Sequence, residues 1–184
     1  MKLSNKLFFC LALLVTLGLG ALFYNSANAQ SSNEITDAEI SLIRTNCVSI
    51  QDTLNRVHAS DALLRVNTGQ VYESISTKLM EGFNSRVVGN NLNGAKLVSV
   101  SSDYKDALNK FRLDYIDYEE KMSLAMSTNC SKQPVAFYDA IAVARTKRKQ
   151  VNADVKQLNG LINDYKKAVD EVESDYQILK GVTK

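Results

Sequence analysis

The sequence predicts an all-α fold: an elongated, coiled-coil-like antiparallel three-helix bundle behind an N-terminal signal peptide. Three observations carry that expectation. Apolar residues recur at steps of three and four along most of the chain, and nowhere is an alternation of two sustained. Only one proline, Pro134, stands in 184 residues, so long helices meet few breakers. Two clusters of turn-forming residues, Gly89-Asn90-Asn91-Leu92-Asn93-Gly94 and Asn129-Cys130-Ser131-Lys132-Gln133-Pro134, cut the remainder into three arms.

The first thirty residues read as an export signal. Lys2 and Lys6 form a charged start, Leu7 to Tyr24 carries no charge, and Ala27-Asn28-Ala29 offers small residues where a signal peptidase reads. Cleavage is expected after Ala29, leaving a polar leader over residues 30–36 and the bundle over 37–184. The alternative is a retained anchor, since about 18 apolar residues is the lower limit for spanning a bilayer. Cys10 leaves with the signal, because Leu7-Phe8-Phe9 lacks the small residues of a lipoprotein box.

Thr36-Asp37-Ala38-Glu39 is a capping box, in which hydroxyl and carboxylate each satisfy a free amide of the first turn. The first helix is expected over 37–88, with the stripe Ile40, Ile43, Cys47, Ile50, Leu54, Val57, Leu64, Val71, Ile75, Leu79, Phe83 and Val87. Asp61 and Thr68 occupy the same stripe. The second helix is expected over 95–129, on Tyr104, Leu108, Phe111, Tyr115, Tyr118, Met122 and Ala125. The Ser- and Val-rich stretch before Ser102 leaves a later start open. Pro134 suits the first turn of the third helix, expected over 134–180. Its seam is Phe137, Ile141, Ala144, Arg148, Val151, Val155, Leu158, Ile162, Tyr165, Val169, Val172, Tyr176 and Leu179, in alternating steps of four and three. Short loops force an up-down-up arrangement. At 1.5 Å per residue the longest helix reaches roughly 75 Å, which makes a rod.

Two cysteines remain after cleavage, an even count that suggests a bridge in an exported protein. In a hairpin turning near residue 88, residue numbers at equal height sum to about 177. Cys47 and Cys130 meet that condition, so a disulfide is expected between them. It would close a long loop and contribute about 4 kcal/mol. The alternative is a pair of free thiols. A redox pair is disfavoured because no C-x-x-C spacing is present.

The second and third helices share a level where their numbers sum to about 264. That sets Asp61, Ile116 and Arg148 at one height. Asp61 and Arg148 interrupt two otherwise apolar stripes, so they are expected to face each other as an ion pair. His58, Arg65, Arg112, Tyr115, Glu119 and Arg145 lie nearby and complete a polar belt. The belt either fixes helix register or holds a ligand or ion between helices. A metal site is not expected, because His58 is the only histidine and no Glu-x-x-His pair exists.

Composition excludes more than it assigns. Loss of Lys2 and Lys6 lowers 22 basic residues to 20, against 20 acidic ones, so the mature chain is formally neutral. It has no electrostatic footprint for a phosphate backbone, and no nucleic-acid partner is expected. Arg145, Lys147, Arg148 and Lys149 form a basic run. It is either a patch for anionic polymers or headgroups, or a solvated face balanced by Asp114, Asp117, Glu119 and Glu120. Asn129-Cys130-Ser131 matches a glycosylation sequon. No Ser/His/Asp or Cys/His set and no glycine-rich phosphate loop can be assembled, so neither an enzyme nor a cofactor is expected.

Phe111-Arg112, Asp114-Tyr115, Tyr118-Glu119, Cys130, Pro134, Phe137-Tyr138, Ala144-Arg145 and Arg148 carry a resemblance. Over about the last two-thirds of the mature chain, it resembles exported helical-bundle proteins of candidate-phyla-radiation bacteria of the Saccharibacteria kind. The resemblance implies a bacterial envelope location and no particular chemistry. The leading functional expectation is a non-enzymatic structural or protein-interaction protein of the cell envelope, secreted, periplasmic or at the surface, acting through long helix faces. One alternative is a periplasmic chaperone or holdase with splayed helical arms. Another is a small-ligand or ion sensor built on the belt, which a ligand would stabilise. The expected partner is an envelope protein, or a second copy through the third helix's seam. A membrane enters only if the signal stays as an anchor.

Overall fold

The computed structural model describes residues 35–181. The charged start, the apolar run, the cleavage motif, Cys10 and most of the polar leader lie outside them. The described residues are all-helical, with no strand among them.

The first arm opens with α1, Asp37–Thr45. Glu39 N donates to the Thr36 hydroxyl at 3.3 Å, and Thr36 N donates to the Glu39 carboxylate at 2.8 Å, completing the capping box. Asn46 then leaves helical geometry, with φ −100° and ψ 13°, before α2, Cys47–Ser74. A π-helical segment, Ile75–Met80, comes next and runs into α3, Glu81–Gly89. The expected continuous helix over 37–88 is therefore interrupted twice.

At the first reversal Asn91 takes φ 57°, a left-handed conformation that asparagine tolerates better than most residues. A Cβ on Gly94 would meet Val87 Cγ1 at 3.0 Å, so this turn is closed tightly against α3. The second arm is α4, Ala95–Ser127, and its Ser- and Val-rich beginning is helical. The third arm is α5, Pro134–Leu179, with Pro134 in the first turn, where no amide donor is missed.

Cys47, Cys130 and Phe137 form one buried cluster with Ile43, Ile50, Leu54 and Ile141 around it. Cys47 and Cys130 stand at disulfide distance, with Cα atoms 5.5 Å apart. Tyr115, Tyr118, Met122 and Ala144 form a second cluster. The largest gathers Tyr72, Met80, Val87, Leu97, Tyr104, Leu108, Phe111, Leu158, Tyr165 and Val172. Every residue of the expected α4 stripe is buried.

Part of the expected first-arm stripe is not. Leu64, Val71 and Leu79 are 59%, 55% and 61% exposed, whereas Tyr72, Ser76 and Met80 are buried. As far as Val71 the expectation rests on a seven-residue repeat, but a straight helix drifts by about 20° per heptad against that repeat. Beyond Asp61 the inward positions are accordingly Arg65, Thr68 and Tyr72. The π segment then accommodates one extra residue, which moves the inward position from Leu79 to Met80. At the far end of α5, Tyr176 and Leu179 are exposed, and Val172 is the last buried seam residue.

Candidate functional site

Midway along the arms, α2 presents Asp61 toward α5. The Arg148 guanidinium grips the Asp61 carboxylate with both ends, Nε to Oδ2 at 2.6 Å and Nη2 to Oδ1 at 2.8 Å. From α4 the Tyr118 hydroxyl donates to the same Oδ2 at 2.7 Å. All three arms therefore meet on one carboxylate. Asp61 is well buried, at 11% exposed, while Arg148 remains 49% exposed. Burial alone would push the Asp61 pKa up. The hydrogen bonds from Arg148 and Tyr118, with the charges of Arg148 and His58, outweigh burial and hold it below the ordinary carboxylate value. The Arg148 pKa is raised by its bond to Asp61. That of Tyr118 is raised by burial and by the Asp61 carboxylate it touches.

One turn away, His58 Nε2 lies 2.7 Å from Glu119 Oε2. Arg65 lays its guanidinium over the Tyr115 ring, 5.1 Å from the centroid. Burial, and after it the Glu119 carboxylate, raise the Tyr115 pKa. Two belt atoms, Arg65 Nε and Glu119 Oε1, are buried without a hydrogen-bond partner. A cavity of about 220 Å³ opens beside the Asp61–Arg148 pair. Arg65, Thr68, Phe111, Tyr115, Val151 and Val155 are among the residues lining it.

The structure brings together His58, Asp61, Arg65, Tyr115, Glu119 and Arg148. It does not bring in Arg112, which pairs instead with Glu73 and with Asn109 Oδ1, the latter at 2.7 Å. Nor does Arg145 join the ionic contacts; it borders a separate cavity of about 190 Å³ with Leu54, Met122 and Ile141. Ile116, expected at the level of Asp61 and Arg148, is exposed, and Tyr115 and Tyr118 occupy the interior beside it. In the basic run, Lys147 pairs with Asp117 at 2.6 Å and Arg148 with Asp61, so two of its four charges are matched. At the sequon, Asn129 Oδ1 accepts from the amides of Ser131 and Lys132 at 3.1 and 2.9 Å.

Sequence reasoning misses two features. Tyr118 reads as core from its spacing, yet its hydroxyl completes the Asp61 site. Asp154 is 2% exposed, although it lies off the apolar seam of its helix. Lys110 Nζ bridges Asp154 Oδ1 and Asp114 Oδ2, each at 2.5 Å, and Asp154 Oδ2 has no partner. Burial, with the neighbouring Asp114, pushes the Asp154 pKa up despite Lys110. The Lys110 hydrogen bond holds Asp114 down. The level count that places Arg148 would also match Lys110 to Asp154.

Among the described residues no group of three or more His, Cys, Asp or Glu side chains is placed to hold a metal ion. No described helix is long and apolar enough to cross a membrane. Comparisons with known protein families, curated proteins and solved structures return no match.

Proposed function

We propose that this chain is a non-enzymatic interaction protein of the bacterial envelope, exported through its N-terminal segment, whose working surface is the outer face of α2. One observation carries the proposal. Between Ala59 and Val71 the helix is inverted. Both of its charged residues, Asp61 and Arg65, turn toward the other arms, and every exposed position is uncharged: Ala59, Ser60, Leu63, Leu64, Val66, Asn67, Gln70 and Val71. Soluble helices ordinarily put charge outside. A contiguous face with large aliphatic side chains and no charge marks a surface that another chain covers.

The remaining features fit this role. The Cys47–Cys130 pair at disulfide distance suits an oxidising, extracytoplasmic compartment, in keeping with the charged start and A-x-A site of the first 29 residues. The three arms act as an antiparallel, coiled-coil-like bundle that stiffens α2 and holds its outer face ready. The belt serves as the clamp that keeps Asp61 and Arg65 inward. The partner is an envelope protein offering an amphipathic helix, since an uncharged strip thirteen residues long spans roughly 20 Å, about four turns.

Photo-crosslinking in intact cells tests this. A crosslinking residue at Leu63 should give one discrete adduct, and the same residue at the exposed Asp103 of α4 should give none. Absence of an adduct at Leu63, or an identical pattern from both positions, defeats the proposal.

A further inference from the structure

The cavity beside Asp61 and Arg148 goes beyond the interaction surface, because it opens between arms and shares only Leu64 with the outer face of α2. Its volume, about 220 Å³, exceeds the roughly 150 Å³ of an engineered cavity that takes up benzene. Phe111, Val151, Val155 and the rings of Tyr115 and Tyr118 supply apolar wall. The charge on that wall is unbalanced. Asp61 is committed to Arg148 through both of its oxygens. Arg65 takes part in none of the ion pairs among the described residues, and its buried Nε lacks an acceptor. A buried donor without a partner is costly, and an anionic oxygen is the acceptor that relieves it best.

We infer that this cavity is a binding site for a small aromatic monocarboxylate. Its carboxylate accepts from the Arg65 guanidinium, which lies over the Tyr115 ring on the cavity lining. The ring lies against Phe111, Val151 and Val155. One uncompensated guanidinium matches one negative charge, so a multiply charged anion would bring charge that the apolar walls cannot satisfy. A metal cation is disfavoured by the two guanidiniums on the lining.

Phenylacetate and its neutral analogue phenylacetamide are the probes, titrated into the purified disulfide-bonded chain by calorimetry and thermal shift. Phenylacetate should bind saturably, with a Kd near or below about 1 mM for a ligand of this size. Phenylacetamide should bind at least tenfold more weakly. Arg65→Gln should weaken phenylacetate at least tenfold. Val155→Phe, which fills the cavity and leaves every belt charge in place, should abolish binding while the circular dichroism spectrum is kept. Equal binding of acid and amide removes the anion specificity. Unchanged binding by either variant removes the location, and no saturable response to phenylacetate removes the site; each of these overturns the inference.

Discussion

Two carboxylates drawn in from solvent are pushed in opposite directions, Asp61 by its neighbours and Asp154 by burial, and this separates their roles. Asp61 lies below the ordinary carboxylate pKa because Arg148 and Tyr118 bind its charged form. A depressed folded pKa means stability that is present above the unfolded value, near 3.9, and lost as pH falls through the folded one. Asp61→Ala should cost about 2 kcal/mol at neutral pH, because it orphans the Tyr118 hydroxyl while half-exposed Arg148 can turn to water. Urea melts of Asp61→Asn and wild type should differ from pH 7 to pH 5, and the gap should narrow progressively as pH falls below about 4. A gap unchanged at pH 3 would show that the charge is not what the site uses. Asp154 carries the opposite sign. Its pKa is raised by burial and by Asp114, so its charge opposes folding above that value and the opposition disappears in acid. Asp154→Asn should therefore stabilise the chain by about 1 kcal/mol at pH 7, with Lys110 still held by Asp114, and by nothing near pH 4. A destabilised variant at pH 7 would mean that the Lys110 bridge outweighs burial. Asp61 is legible in the sequence because it interrupts an apolar stripe. Asp154 is not, because it sits beside the α5 seam, between Val151 and Val155, where an acidic residue looks like ordinary solvent-facing charge.

At the scale of the element, the first arm departs most from its sequence pattern. Heptad counting puts Leu64 and Val71 inside and steps of four add Leu79, and a straight helix leading into a π segment turns them out. Tyrosines from the other arms bond the backbone just before that segment and at its last residue. Tyr104 donates to the Tyr72 carbonyl at 3.1 Å, and the Tyr165 hydroxyl lies 3.2 Å from the Met80 carbonyl and 2.7 Å from Asn84 Oδ1. Carbonyls flanking the change of pitch thereby receive hydrogen bonds from the neighbouring arms. If the segment is one extra residue held in a helix, removing one should restore a plain α-helix without rotating α3 against its neighbours. Deletion of exposed Thr77 should then shift Tm by only a few degrees. Deletion of Asn67, which is also exposed, should rotate Tyr72 about 100° off its buried site and cost several kcal/mol. Equal losses in thermal melts of the two deletions would rule out the one-residue account. The α4 and α5 stripes are readable because the two helices pack on each other along most of their length. The first arm's is ambiguous because Leu64 and Arg65, or Val71 and Tyr72, are adjacent positions between which drift accumulated over several heptads chooses, and a π insertion leaves no composition signal.

The molecule as a whole is held at one end by the Cys47–Cys130 link and along its length by packing, and the two should be separable. The link joins residues 83 apart in sequence, so reduction restores the freedom of a long loop to the unfolded chain and should cost about 4 kcal/mol. That corresponds to a fall in Tm on the order of 10 °C. The loss should not be uniform. The cluster around Cys130 and Phe137 is small and depends on residues flanking the link, whereas the cluster of Tyr104, Leu108, Leu158 and Tyr165 extends from mid-arm toward the other reversal and contains no cysteine. Hydrogen exchange on the Cys47→Ala/Cys130→Ala variant should therefore show α1 and the first turns of α2 opening by local fraying, while amides near Leu158 and Tyr165 exchange only through global unfolding. The inverted stretch between Ala59 and Val71 lies between these regimes, held inward by Asp61 and Arg65. Protection there that survives loss of the disulfide but falls with Asp61→Ala would identify the belt, and not the covalent link, as what presents the uncharged outer face. Protection that falls equally in both variants would mean the face is presented only by the intact fold as a unit, and the belt would have no separate role in displaying it.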